Sequence, residues 1–259
     1  MDAVTGLLFH LWVGVTASSA ADLQKKNQKR IIGGKECDRE DRLYHVRLVG
    51  RLRVKQKLCG GSLISDRWIL TAAHCWEMGW TLTAYLNVHP DQKASKETKI
   101  SAVPEIFYDN NGRHDVMLLQ LPEPTDITPV QLPDCERRPK VGDKVQVAGF
   151  GATAAGPNNK RQPGVSDSLQ CVDISVVDCT RLRGIMSNDP QAMYEHWFCG
   201  QTPKVDTCPG DSGGGVVFNK MIYGFHSFTG NPKNACSEAA GFMDVCAYKD
   251  WINKTIDRK

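Results

Sequence analysis

The 259-residue sequence lacks any apolar run long enough to span a bilayer; its most apolar stretch near the start, Leu7 to Val15, is well short of the ~20 residues such a helix needs. It lacks a basic excess as well. The chain carries +3 overall, but residues 31–259 hold 28 basic against 27 acidic residues, or +1, which gives no electrostatic footprint for nucleic acid. The cysteines show no paired metal-type spacing, and no oxygen-rich calcium site is evident in the loop from Pro90 to Lys99, which carries Lys93, Lys96 and Lys99. No metal and no cofactor are expected. Repeats of fixed short period and low-complexity segments are also missing, so neither a solenoid nor a disordered tail is indicated.

What is present is an ordinary apolar fraction, 41%, in a chain long enough to bury a proper core. The ten cysteines are an even number spread along the chain, which points to a disulfide framework formed in an oxidising compartment. Residues 1–20 read as a secretory signal peptide, with Leu7 to Val15 as its core and Ala17-Ser-Ser-Ala-Ala21 offering a cut after Ala20 or Ala21. Residues 21–30 are polar and end Gln-Lys-Arg30 before Ile31-Ile-Gly-Gly34, the form of a propeptide with a basic cleavage site. The expected location is secreted and extracellular, and residues 31–259 form the remaining domain.

Within that domain, short segments of strand character alternate with Gly, Asp and Asn turns, an all-β pattern of barrel or sandwich type. Strands are expected at Leu43–Val49, Leu58–Ile64, Trp68–Ala72, Thr81–Val88, Val116–Leu121, Lys144–Phe150, Ser168–Val177, Gly214–Phe218 and Met221–Phe228. Asn219-Lys220 is placed as a hairpin turn. Tyr248, Trp251, Ile252, Thr255 and Ile256 recur at helical spacing and predict a terminal amphipathic α-helix.

The chemistry gathers on Cys208-Pro-Gly-Asp-Ser-Gly-Gly-Gly215, where Ser212 is flanked by glycines whose amides can approach a substrate carbonyl. A serine hydroxyl attacks at neutral pH only when a base removes its proton and fixed N–H donors stabilise the oxyanion. Taken alone, Gly-Asp-Ser-Gly also suits a plain tight turn. Two further segments decide between these. Leu70-Thr-Ala-Ala-His-Cys75 presents His74, and His114-Asp-Val-Met-Leu-Leu-Gln-Leu121 presents Asp115, so the order along the chain is His, Asp, Ser. His45, His89, His114, His196 and His226 carry no motif and read as surface or structural residues.

With these three motifs in this order and spacing, the chain from Ile31 onward resembles the trypsin-like, chymotrypsin-fold serine proteases. That resemblance implies two antiparallel Greek-key β-barrels with the active site between them and a C-terminal α-helix. His74 and Asp115 would belong to the first barrel and Ser212 to the second. It implies His74 as general base, Asp115 as its orienting partner, Ser212 as nucleophile, and an oxyanion hole from the N–H groups of Gly210 and Ser212. Ser227 matches the family serine that bonds the triad aspartate. Asp206 matches the carboxylate that selects Arg or Lys at the base of the primary pocket, and Gly241 a glycine lining it. Phe228 stands for the usual tryptophan, Thr229 replaces a usual glycine and crowds the entrance, and Gly241 to Cys246 is one residue short. These departures predict restricted specificity.

The resemblance further implies the pairs Cys37–Cys171, Cys59–Cys75, Cys135–Cys246, Cys179–Cys199 and Cys208–Cys236. It also implies a zymogen switch in which cleavage after Arg30 frees an ammonium at Ile31 that pairs with Asp211. The implied function is a secreted serine endopeptidase cleaving after Arg or Lys through an acyl-enzyme. The implied partners are protein or peptide substrates, an activating protease and protein protease inhibitors, with no nucleic acid, no membrane and a monomeric state. The alternative is a weakly active or self-inhibited homologue acting mainly by binding. Asn253-Lys-Thr255 is a glycosylation sequon.

Overall fold

The structure is a computed structural model that describes residues 31–152 and 154–258. The expected signal peptide and propeptide, Arg30 included, lie outside the described residues. Two seven-stranded antiparallel sheets make up the body. The first contains β2 (His45–Leu52), β3 (Lys55–Leu63), β4 (Trp68–Thr71), β5 (Thr81–Leu86), β6 (Lys96–Ile100), β7 (Glu105–Asp109) and β8 (Gly112–Gln120), in the order β6-β5-β2-β3-β4-β8-β7. The second contains β1 (Lys35–Glu36), β9 (Lys144–Gly149), β10 (Gln170–Val177), β11 (Trp197–Gly200), β12 (Gly215–Phe218), β13 (Met221–Thr229) and β14 (Ala240–Asp244), in the order β1-β10-β11-β14-β13-β12-β9. Because β9 also pairs with β10, this second sheet closes on itself. Closure removes the free edges that a strand would otherwise offer to other chains.

Each sheet curls around its own core. Val46, Leu48, Leu63, Ile69, Leu70 and Leu118 fill the first, and Val145, Val147, Ile174, Val216 and Phe242 fill the second together with Ile31. Three α-helices also belong to the described chain: α1 (Thr180–Ile185), α2 (Pro190–Tyr194) and α3 (Val245–Ile256). The last begins where Asp244 accepts the Cys246 N–H and supplies an N-cap, and it packs Tyr248 and Trp251 against Phe107 on β7. Asn219 and Lys220 both adopt positive φ, 49° and 64°, so the turn between β12 and β13 has the handedness that tight hairpins favour.

The two sheets meet through backbone as well as side chains. Gly60 on β3 donates its N–H to the Ser212 carbonyl at 2.7 Å, and a Cβ on Gly60 would sit only 3.0 Å from the Gly214 Cα. Arg42, almost fully buried, adds a second tie by donating to the carbonyls of Gly215 and Gln146. Four of the expected disulfides are formed: Cys37–Cys171, Cys59–Cys75, Cys135–Cys246 and Cys179–Cys199.

The expected fifth bridge is corrected, since Cys208 and Cys236 are free thiols. A guanidinium is seated here: Arg161 Nη1 lies 3.8 Å from Cys208 Sγ, while the Cys236 N–H is turned onto Asp206. Burial, reinforced by the Asp211 charge, pushes the Cys208 thiol up to about 12, so it stays protonated and unreactive. Asn253 sits within α3 and not in the surface loop a sequon ordinarily occupies, and Thr255 Oγ1 is bonded to the Trp251 carbonyl at 2.9 Å.

Candidate active site

His74 is carried on a single 3-10 turn, Ala73–Cys75, just beyond β4. The small residues Ala72 and Ala73 are fully buried, which lets the turn sink against the sheet, and Cys75 is bridged to Cys59 on β3. Polar contacts fix it further: Arg113 donates to the Ala73 carbonyl at 2.6 Å and Lys57 to the His74 carbonyl at 2.7 Å. The sulfurs of Cys59 and Cys75 lie within 4.8 Å of a His74 ring nitrogen, but they are bonded to each other and have no thiolate to offer a metal.

Asp115 lies on β8 and accepts from His74 twice, from the backbone N–H at 2.7 Å and from ring Nδ1 at 2.8 Å. Ser227 on β13 donates its hydroxyl to the same carboxylate at 2.5 Å, so one acid is gripped from both sheets. Burial is the largest single influence and pushes this carboxyl upward. His74 and the donated hydrogen bonds together outweigh it, and the net shift is below the usual carboxylate value. Asp115 is therefore ionised at neutral pH, and the Nδ1 proton it holds leaves Nε2 as the basic nitrogen.

Ser212 is half-exposed on the loop that leads into β12. The next residue explains how it is held: Gly213 has φ +79°, and a Cβ there would meet Thr71 Oγ1 at 2.2 Å and the Gly60 carbonyl at 2.4 Å. Only glycine satisfies both limits. Among the described residues no hydrogen bond joins the Ser212 hydroxyl to His74, a contact that commonly tightens only when substrate is bound. Gly210 has φ +103° and stays half-exposed, which leaves its amide unshielded by a side chain.

Asp211 is fully buried and accepts N–H groups from Gly151 at 2.7 Å and Cys208 at 2.8 Å. It lies in a cradle that side chains would fill: a Cβ on Gly149 or Gly151 would approach its carboxylate to 2.1 and 2.5 Å. Burial drives its carboxyl up to about 7. Ile31, completely enclosed in the core of the second sheet, and Ile32, paired with Asp206, bring the start of the described chain to the same side.

The remaining predicted residues line the neighbouring segments. Asp206 is buried, and burial raises its carboxyl against the opposing pull of Arg161 and of the Cys236 and Thr207 amides. Phe228 and Thr229 pair with Gly241 and Ala240 across β13 and β14. The Phe228 ring lies directly over Gly241, where a Cβ would come within 2.3 Å of it, and stacks edge-on against Trp197. A cleft of about 260 Å³ opens beside His74 and Asp115, with Met186, Gln191, Glu195 and Phe228 among its walls.

Three residues at this site belong to no sequence motif. Glu195 accepts the Asp115 N–H at 2.6 Å, and burial, aided by the Asp115 charge, pushes it up to about 7. His226 is buried on β13, with Nε2 2.8 Å from Thr207 Oγ1, and burial takes it down to about 3. The Arg161 side chain is 7% exposed and bonded to Asp206. A lone acid among Tyr194, His196 and Trp197 was the one local hint for Glu195; His226 and Arg161 gain meaning only from long-range contacts.

A serine, a histidine and a buried aspartate presented by two barrel-like sheets have counterparts among known proteins. The family model described as Trypsin matches residues 31–252. The chain belongs to the trypsin family. It is similar to Mus musculus kallikrein-8, 28% identical over 98% of this chain and 94% of that protein. It is also similar to Sus scrofa glandular kallikrein, 29% identical over 88% and 97%, and to the thrombin-like enzyme acutobin of Deinagkistrodon acutus, 30% identical over 88% of each. Among solved structures, neuropsin, a serine protease expressed in the limbic system of mouse brain, aligns at TM-score 0.68 and 28% identity, over 86% of this chain and 99% of that one. This trypsin-family chain is a trypsin-like serine endopeptidase whose substrates are proteins. Among its described residues no helix is long and apolar enough to cross a membrane.

Proposed function

We propose that this protein is a secreted serine endopeptidase, made as a zymogen, that cleaves peptide bonds after Arg or Lys with restricted sequence choice. The observation that carries the mechanism is the His74–Asp115–Ser227 network, which holds the imidazole with one nitrogen free for the nucleophile. His74 takes the Ser212 proton as Oγ bonds to the scissile carbonyl carbon. The oxyanion is held by the N–H groups of Gly210 and Ser212. The C–N bond then breaks, the leaving amine receives the proton from His74, and water reverses the sequence to free the acid. Throughout, Asp115 stabilises the imidazolium. Asp206 supports selection of a basic side chain, because it is a buried carboxylate that already takes a guanidinium, that of Arg161, as its partner within the chain. Phe228 over Gly241, with Thr229 beside it, supports a narrowed entrance.

Activation follows from Asp211: cleavage after Arg30 by an activating protease frees the Ile31 ammonium, a partner for a carboxyl that burial otherwise pushes up to about 7. Protein protease inhibitors enter by the same cleft as substrate, and the enzyme acts as a monomer without membrane or nucleic acid. The test is to cleave at Arg30, identify an Ile31 N-terminus and measure hydrolysis of Arg and Lys amide substrates against a Ser212→Ala control. Turnover abolished by the alanine supports the reading. Failure of Ser212 to label with an organophosphonate after cleavage favours instead a weakly active homologue that works by binding.

A further inference from the structure

Arg161 is a charged side chain that solvent barely reaches, carried on the loop between β9 and β10. Its fork of donors is almost fully used. Nη2 donates to Asp206 Oδ2 at 2.5 Å, Nη1 to the Thr207 carbonyl at 2.5 Å and Nε to the Asn231 carbonyl at 2.9 Å. The backbone holds the loop in the same place: the Arg161 N–H donates to the Lys233 carbonyl at 3.0 Å, the Ala235 N–H to the Asn159 carbonyl at 2.8 Å, and Lys160 bridges to Asn234. The loop thus lies along 231–235 and inserts one guanidinium inward.

The acceptor side is equally committed. Besides Arg161, Asp206 Oδ2 accepts the Cys236 N–H at 2.7 Å, and Oδ1 accepts the Thr207 N–H at 2.8 Å. A carboxylate has about four acceptor positions, so a basic substrate side chain seeking a two-pronged grip finds room for only one bond. Nor does the charge favour it, since a second cation meets an acid already neutralised by the first.

We propose that Arg161 is a specificity-determining residue that acts as a built-in competitor: its guanidinium occupies the carboxylate that would read a basic substrate side chain, and must withdraw before Arg or Lys is bound. The proposal rests on reading Asp206 as the selector. Exchange of one cation for another at Asp206 is close to balanced, but withdrawal also breaks the bonds to the Thr207 and Asn231 carbonyls and frees the loop. Apparent affinity for a small basic ligand falls by the fraction of molecules in the open form, and an open fraction of ~1–10% weakens it ~10–100-fold. A longer peptide that makes further contacts along the cleft offsets this cost. Sequence choice is thereby narrowed at positions distant from Asp206.

The experiment measures p-aminobenzamidine binding to the Arg30-cleaved enzyme, wild type and Arg161→Gln, by probe fluorescence. A neutral organophosphonate counts competent Ser212 in each preparation, so that misfolded protein is not scored. The expected result is ~10–100-fold tighter binding by Arg161→Gln, with a matching rise in kcat/KM for a short Arg amide. A second measurement needs no variant: in stopped flow, the rate of probe binding to wild type levels off with rising probe at the rate of Arg161 withdrawal. Equal affinities for the two proteins together with a rate that climbs linearly overturn the competitor while leaving Asp206 as selector. If neither protein binds the probe and both cleave after neutral residues, the reading of Asp206 itself fails, and the proposal with it.

Discussion

The pH dependence of stability offers a quantitative check on the buried acid at Asp211. Its ordinary value of 3.8 is pushed up to about 7 by enclosure, in spite of the amides of Cys208 and Gly151. A carboxyl raised in the folded state stabilises the fold fully below its unfolded value, and that contribution disappears as pH climbs through the folded one. Between about pH 4 and 7 the folded chain holds a proton that the unfolded chain has released, so stability falls by about 1.4 kcal/mol per pH unit and by about 4 kcal/mol in all. Urea denaturation of the intact chain, made with Ser212→Ala to prevent self-cleavage, is measured at pH 5 and pH 7. The same is done with Asp211→Asn added, which cancels every other titrating group. The protein with Asp211 is expected to lose about 2 to 3 kcal/mol more across that interval than its asparagine counterpart. After cleavage at Arg30 the excess loss disappears, because an Ile31 ammonium would keep the acid ionised. Matching slopes in the aspartate and asparagine proteins refute the buried-acid argument, and an unchanged slope after cleavage refutes the pairing with Ile31.

Other expectations follow from the same geometry. Ser227→Ala removes the hydroxyl donated to Asp115 and is expected to lower kcat about tenfold with little change in KM, equivalent to about 1.4 kcal/mol, as steady-state kinetics will read. Glu195 is also raised to about 7, so its stabilisation is present below pH 4.5 and lost through about 7. Glu195→Gln is expected to flatten the denaturation profile between pH 5 and 8 by about 2 kcal/mol. Gly213→Ala drives a methyl group into Thr71 Oγ1 and the Gly60 carbonyl, and is expected to abolish phosphonate labelling of Ser212 while circular dichroism remains that of a β protein. Removing the Cys59–Cys75 bridge by a double alanine substitution opens a loop of sequence separation 16. It is expected to cost about 3 kcal/mol in urea denaturation.

The segments legible in the sequence are those whose burial alternates or runs unbroken, such as β4, β8 and β13, and those marked by turn chemistry, such as Asn219-Lys220. Strand β6, Lys-Glu-Thr-Lys-Ile, escaped because it is a largely exposed edge strand whose identity comes from pairing with β5. Strands β11 and β14 are four and five residues long, and their strand character comes from each other's hydrogen bonds. The motif residues His74, Asp115 and Ser212 were legible because catalysis restricts residue type at fixed points along the chain. Arg161 was not: the contact that gives it meaning spans 45 residues, and nothing in Asn-Asn-Lys-Arg-Gln indicates which acid it will meet. The bridge expected between Cys208 and Cys236 failed for a related reason, since family likeness carries over cysteines without the side chain that has come to lie beside them.

The helix α3 has a consequence for the order in which the surroundings of the acid are assembled. Its Tyr248 hydroxyl lies 2.9 Å from Nδ1 of His114, immediately next to Asp115, and also accepts the His196 N–H, one residue past Glu195. This helix emerges from the ribosome after every strand of both barrels. A nascent chain halted before Val245 already has its serine, histidine and aspartate, and Glu195 on the Asp115 amide, but lacks the Tyr248 hydroxyl that ties His114 to the His196 amide. The tie behind β8 is therefore the last contact around the acid to form as the polypeptide is made.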